Sequence, residues 1–288
     1  MPWPHIEPCL AALVDEARTV GAEIILADGC GRALPEPITP PYGEVIWLKV
    51  PGAGAFRLRS LAIARARAGI IAITEDHCVV RPGWCARILQ AHAEHPSAAA
   101  IGGAVENVST RHLLDLAGFF IANAPFMLPL RNGESAQISL QANISYKRIA
   151  FETANVGDRG LMEMLFNQEL RRRAETLVAD DRIVVDHGQC LDFPTFCALH
   201  FHNGRCIAGF RLERIGVFER IVRLGGCAIL PPVMLSRTLW TLVKKHRLGA
   251  RAIASVPLMI VLLSCHAAGE SIGYINGPGD SPRFRHIG

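Results

Sequence analysis

The sequence predicts an α/β fold: a mixed, mostly parallel sheet between helices, followed by a helical C-terminal extension. Three observations predict it. Short apolar runs alternate with helix-forming stretches through the first half of the chain. One run, Ile70-Ile71-Ala72-Ile73, stops abruptly at Thr74-Glu75-Asp76-His77. From Pro194 onward the pattern is mainly helical.

Each element has its own signal. Leu10 to Arg18 is amphipathic and reads as a helix. Glu23 to Asp28 reads as a strand ending in a carboxylate, with Gly29 and Gly31 beyond it. Pro35 to Pro41 carries four prolines and must be a loop. Glu44 to Val50 is a further strand, broken by Pro51-Gly52-Ala53-Gly54. Phe56 to Ala68 combines helix formers with spaced arginines. The β-branched run Ile70 to Ile73 reads as a buried strand. Gly83 to His95 is a helix begun by Pro82, and Ala98 to Val105 a short strand holding Gly102 and Gly103. This alternation implies parallel strands covered on both faces. Later, Ile138 to Tyr146 reads as a strand, Leu161 to Arg173 as a helix and Arg182 to Asp186 as a short strand before His187.

Composition bounds the function. The 288 residues suffice for one large α/β domain with an appendage. Half are hydrophobic, and the net charge is +4. This mild basicity suits an anionic ligand or membrane surface, while the lack of any block of like charge argues against a nucleic-acid partner. Nine scattered cysteines without a signal peptide point to reduced thiols and a cytoplasmic setting. Cys197, His200, His202 and Cys206 are zinc-type residues at a spacing that matches no common zinc site, so they read as the core side of a helix. Ala250 to Cys265 is the most apolar segment, flanked by Lys244, Lys245, Arg247 and Arg251. It is too short to span a bilayer comfortably and contains Pro257. It is therefore expected to lie in a membrane interface, with residues 250–275 against the surface, or to be a buried helix.

The strand-end position of Glu75 and Asp76 carries the chemistry. Ligands of open α/β sheets bind beyond the carboxyl ends of strands. Carboxylates there can hold a divalent cation and, through it, a diphosphate.

Several motifs, in order, resemble family 2 glycosyltransferases of the GT-A fold. They are Glu23 to Gly29; Arg59-Ser60 ahead of Ala66-Arg67-Ala68-Gly69; Thr74-Glu75-Asp76; Pro82-Gly83-Trp84; Ala142-Asn143 with Tyr146-Lys147-Arg148; Glu163; His187; and Asn203-Gly204-Arg205. The resemblance covers roughly residues 5 to 225. It implies a glycosyltransferase domain over 1–225 and a helical, membrane-associated extension over 226–288. It implies inverting transfer of a sugar from a nucleotide-diphospho-sugar to a glycan, lipid or other hydroxyl acceptor, in glycan biosynthesis at the cytoplasmic face of a membrane. Asp28 would meet the base or ribose. Arg59 and Glu75 would serve the donor. Asp76 and His77 would hold Mn²⁺ or Mg²⁺, and Glu163 would be the acceptor-side base.

The chain departs from that family in three places. The family's first strand has no counterpart after Met1-Pro2-Trp3-Pro4, which would leave two inner sheet edges and implies either a start further upstream or an impaired copy. Thr74 stands where the metal motif has its leading Asp, and Met164 where the Glu-Asp pair has its Asp. Three other readings compete. One is a non-catalytic binding protein of this fold. Another is a nucleotidyltransferase. The third is a serine hydrolase, on the Gly269-Glu270-Ser271-Ile272-Gly273 pattern.

Overall fold

The computed structural model describes residues 6–30, 45–153 and 160–284. The proline-rich loop at 35–41, Gly31, Glu44 and the segment Met1 to Pro4 lie outside the described residues. The elements begin with α1 Glu7–Val20, β1 Ile24–Asp28, β2 Val45–Lys49, α2 Ala55–Arg65, β3 Ile70–Ile73 and β4 Cys78–Val80. Next come α3 Trp84–Glu94, β5 Ala98–Asn107, α4 Leu113–Asn123, β6 Gly133–Glu134, β7 Ile144–Lys147 and α5 Ile149–Thr153. After them follow α6 Glu163–Arg172, β8 Thr176–His187, α7 Phe193–Arg211, α8 Val217–Gly226, α9 Leu230–Lys244, α10 Ala250–Ala254 and α11 Val256–Asn276.

The chain forms two compact units: Met1–Val108 with Phe126–Gly188, and Ser109–Pro125 with Gln189–His286. The boundary expected at residue 225 falls inside α8 of the second unit. The helical unit starts earlier because α7 packs along α11.

The first unit holds both sheets. β1 and β2 pair in parallel, Ile24 opposite Val45 through Asp28 opposite Lys49. The larger sheet runs β3-β7-β5-β8-β4, with β6 on β8. β5 and β8 are parallel; β7 is antiparallel to β3 and β5, and β4 to β8. The α/β character and mixed sheet are as expected. Among the described residues β1 pairs with β2 and β3 with β7. Ile71, Ile73, Ala100, Ile144, Tyr146, Leu161, Phe166 and Leu177 form the core beneath the larger sheet. Burying each large apolar side chain there contributes about 2 kcal/mol.

Asn143 pins the centre of this sheet. Its Nδ2 donates to the carbonyls of Ala104 (2.8 Å) and Ile183 (2.9 Å), and its Oδ1 accepts from Trp84 Nε1 (2.9 Å). The bonds span the place where β8 slips against β5, from Asp180 opposite Gly103 to Val184 opposite Ala104. Gly103 makes room, since a Cβ there would lie 2.2 Å from the Ile183 carbonyl. The Ala142-Asn143 motif is thus a structural fastener. Arg148 is another, its Nε donating to the Ala68 carbonyl at 2.9 Å. The strand expected over 138–146 is confined to β7, and Ile138 is a buried loop residue.

In the second unit α7 and α11 meet backbone to backbone. A Cβ on Gly204 would lie 2.1 Å from the His266 carbonyl oxygen, and one on Gly269 would lie 1.9 Å from that of Phe201. Gly273 is similarly placed, 2.6 Å from the Arg205 carbonyl oxygen. This overturns the hydrolase reading of Gly269 to Gly273. The segment is interior to α11, Ser271 Oγ donates to the Ala267 carbonyl at 2.9 Å, and the glycines serve the helix crossing. Cys197, His200, His202 and Cys206 lie on α7, as expected of a helical segment. α11 has the length and composition to cross a membrane, but half of its most apolar stretch is buried within the protein.

Candidate functional site

The tip of β3 is where polar side chains converge. Thr74 does not join them: its Oγ1 donates to the Ala142 carbonyl at 2.9 Å, tying the strand end to the loop before β7. Glu75 turns toward Arg59 of α2, whose Nη2 donates to Glu75 Oε1 at 3.1 Å. Arg59 also reaches Glu163, the first residue of α6, with Nη1 3.3 Å from Oε2 and Nε 3.2 Å from Oε1.

Two local features bring residues 104 positions apart into this contact. Gly160 takes φ +97° and passes so close to the Phe56 carbonyl that a Cβ would lie 2.3 Å away. Leu161 N–H then donates to the Phe56 carbonyl at 2.9 Å, seating the start of α6 beside α2. Glu163 is 2 % exposed. Its Oε1 contact with Arg59 is an ion pair outside hydrogen-bond geometry, so this buried oxygen keeps an acceptor site to offer. Burial raises the Glu163 pKa, and the Arg59 charge opposes that rise.

The chain of contacts continues from Glu75. His77 Nε2 lies 3.6 Å from Glu75 Oε2 and 3.1 Å from His187 Nε2, and His77 Nδ1 lies 2.9 Å from Asp76 Oδ1. The two imidazoles meet edge to face. Burial pushes the His77 pKa down, but the hydrogen bond to Asp76 and the charges of Glu75 and Asp76 raise it overall. Burial, followed by the His77 charge, drives His187 down to about 3. Asp76 is held low despite its burial by the hydrogen bond and charge of His77. Of the two rings, His77 is the one whose surroundings favour the charged form.

The structure therefore joins Arg59, Glu75, Asp76, His77 and Glu163 in one continuous network. It does not join Asp28 to them by any hydrogen bond or ion pair among the described residues. Asp28 Oδ1 accepts from Cys30 N–H at 2.7 Å and closes the turn after β1. The sequence analysis placed His187 among the motif residues without a role and did not single out Cys78. β4 explains both, because its antiparallel pairing with β8 sets Cys78 directly opposite His187. In the same pairing Val79 faces Asp186 and Val80 faces Val185.

The carboxylates of Glu75, Asp76 and Glu163 gather here around Arg59 and His77. The donor atoms that converge belong to Glu75, His77, Cys78 and His187, all within 4.8 Å of one another. This mixture of oxygen, nitrogen and sulfur does not suit Mg²⁺, which takes oxygen ligands; it suits ions that accept imidazole.

No family model and no curated protein sequence matches the chain. Solved structures do. The Staphylococcus aureus TarS fragment 1–349 in complex with UDP-GlcNAc superposes with a TM-score of 0.53 at 11 % identity, covering 95 % of this chain and 88 % of that one. A second structure of the same fragment gives 0.51 at 11 % identity, covering 93 % and 87 %. A mannosyltransferase from Pyrobaculum calidifontis, in complex with GDP-Man and Mn²⁺, gives 0.45 at 13 % identity, covering 80 % and 70 %. The TarS likeness establishes the fold as the GT-A type that the sequence motifs resemble.

Proposed function

We propose that this chain is a glycosyltransferase that moves a sugar from a nucleotide-diphospho-sugar to an acceptor hydroxyl, with inversion at the anomeric carbon. The observation that carries the reading is the buried Glu163–Arg59–Glu75 network beside the tip of β3. Glu163 Oε1 takes the proton of the acceptor hydroxyl as it attacks; burial raises its affinity for that proton. Arg59 orients Glu163 and keeps it ionised between turnovers. Glu75 and the His77–His187 pair line the donor's diphosphate end, and Asp28 meets the base or ribose. A divalent cation, when bound, supplies charge that offsets the departing diphosphate. The UDP-GlcNAc complex of TarS makes that donor the first to test.

The test is product analysis with UDP- and GDP-sugars. Release of free nucleoside diphosphate supports the reading, as does its loss in Glu163→Gln. Release of pyrophosphate would indicate nucleotidyl transfer instead.

The same proposal places the protein peripherally on a cytoplasmic membrane face. The second unit supports this with exposed apolar residues on α8: Val217, Phe218 (81 % exposed), Ile221 and Val222. Trp240 on α9 and Ile253 and Ile260 within 250–275 are exposed too. Arg214, Arg220, Arg223, Lys244, Lys245, Arg247 and Arg251 lie along the same stretch and favour anionic headgroups. Flotation with vesicles containing phosphatidylserine checks it; Phe218→Asp is expected to weaken binding.

A further inference from the structure

We propose that Glu75, His77 and His187 ligate a transition-metal ion of the zinc type, with Asp76 acting as the outer carboxylate that fixes the His77 ring. This departs from the aspartate-centred Mn²⁺ or Mg²⁺ that the sequence resemblance implies. It stands on side-chain geometry and does not rest on the transfer reaction.

The separation of the two imidazoles carries it. His77 Nδ1 sits 2.9 Å from Asp76 Oδ1, so that nitrogen carries the hydrogen and donates it. His77 Nε2 is left facing His187 Nε2 at 3.1 Å. Two ring nitrogens at that distance share either a hydrogen carried by one of the rings or a metal ion. Two nitrogens bound tetrahedrally to zinc lie about 3.3 Å apart, given Zn–N bonds of about 2.0–2.1 Å. The Glu75 Oε2 to His77 Nε2 distance, 3.6 Å, is close to the same edge length. A shared hydrogen would use only the two nitrogens. A metal ion would also use the carboxylate, and the fully buried Cys78 thiol lies within the same 4.8 Å group. Two histidines and a carboxylate with an open position form a common catalytic zinc set. Asp76 on the far nitrogen of His77 supplies the outer contact that metal-bound histidines usually have.

Backbone pairing makes the group rigid. β4 and β8 place Cys78 opposite His187, and Gly188 N–H donates to the His77 carbonyl at 2.8 Å. His77 and His187 are therefore held by the sheet rather than by the mobility of a loop tip.

The test uses the full chain, stripped with a chelator and free of nucleotide, so its failure and the failure of the transfer reading are separable. Co²⁺ serves as the optical probe and Zn²⁺, Mn²⁺ and Mg²⁺ as calorimetric titrants. Because zinc outranks manganese at most sites, relative affinity alone decides nothing. The expected result is one zinc per chain, with the intense visible absorption of four-coordinate cobalt. Zinc affinity should fall about 100-fold or more in His77→Gln and His187→Gln, and about 10- to 100-fold in Asp76→Asn. Circular dichroism selects the variants that fold; if neither histidine variant does, the wild-type cobalt spectrum decides. Overturning results are no uptake, a weak six-coordinate cobalt spectrum, or a site abolished by Asp76→Asn and untouched by His187→Gln.

Discussion

Two buried contacts, one in each unit, differ in kind. The first encloses charge: Glu163 and His77 are almost wholly buried, and Arg59 nearly so. The second encloses bare backbone, with Gly204, Gly269 and Gly273 letting α7 and α11 touch main chain to main chain. Buried ions are weak contributors to stability, and apolar residues of similar volume often serve a fold as well or better. Glycine contacts are the reverse, since they do little chemistry and set how closely two helices pack. The comparison teaches where each kind of substitution should be felt. Changes in the charged network should act on activity, and changes at the glycines on folding.

The largest expected effect is on activity. Glu163→Gln keeps the shape of α6 and removes the proposed base, so the turnover rate should fall about 10³-fold, or roughly 4 kcal/mol. Rates measured on folded variant check this; near-normal turnover would break the contrast between the units. Next is Gly269→Ala, whose new Cβ would meet the Phe201 carbonyl. It should destabilise the protein by about 3 kcal/mol in denaturant titration. The adjacent Ser271→Ala should cost less than about 0.5 kcal/mol and leave activity intact.

A pH effect follows. His92 in the first unit is 4 % exposed, with Nε2 3.0 Å from Ser145 Oγ. Burial, then the Lys147 charge, lowers its pKa to about 4. Unfolded, it titrates near about 6.5. Below that pH the unfolded chain binds the extra proton, so this contribution is complete above about pH 6.5 and is lost as the pH falls toward 4. Between pH 7 and 5 the loss should be about 2 kcal/mol, and His92→Gln should flatten that part of the stability curve.

A small effect is expected at Asp28. Asp28→Asn keeps an acceptor for the Cys30 N–H while removing the charge. Stability should change by less than about 0.5 kcal/mol. The KM for donor should rise about fivefold, roughly 1 kcal/mol, if the carboxylate meets the base. An unchanged KM would confine Asp28 to its turn.

How much of this was legible follows the same physical lines. β3 matches its expected range because a β-branched run bounded by polar residues has one reading. β4 escaped notice because three residues carry no period. Only the end of β8 was read, because Asp180-Asp181-Arg182 interrupts its alternation where the strand slips against β5. α4 received no assignment from the sequence, although Leu113, Leu114, Phe119 and Phe120 make an apolar helix. In the site, the strand-end carboxylates were visible. The Arg59–Glu163 contact was not, because its partners are brought together by Gly160 and the Phe56 carbonyl, a close approach with no local signature. The His77–His187 pair was hidden for a similar reason, its geometry depending on the unrecognised β4.

The most direct test is a thermal melt of the intact protein with each nucleoside diphosphate, with and without a divalent ion. The central claim predicts metal-dependent stabilisation by at least one of them, lost in a folded Glu75→Gln variant. A folded protein that responds to none of them, or whose response survives Glu75→Gln unchanged, would contradict it.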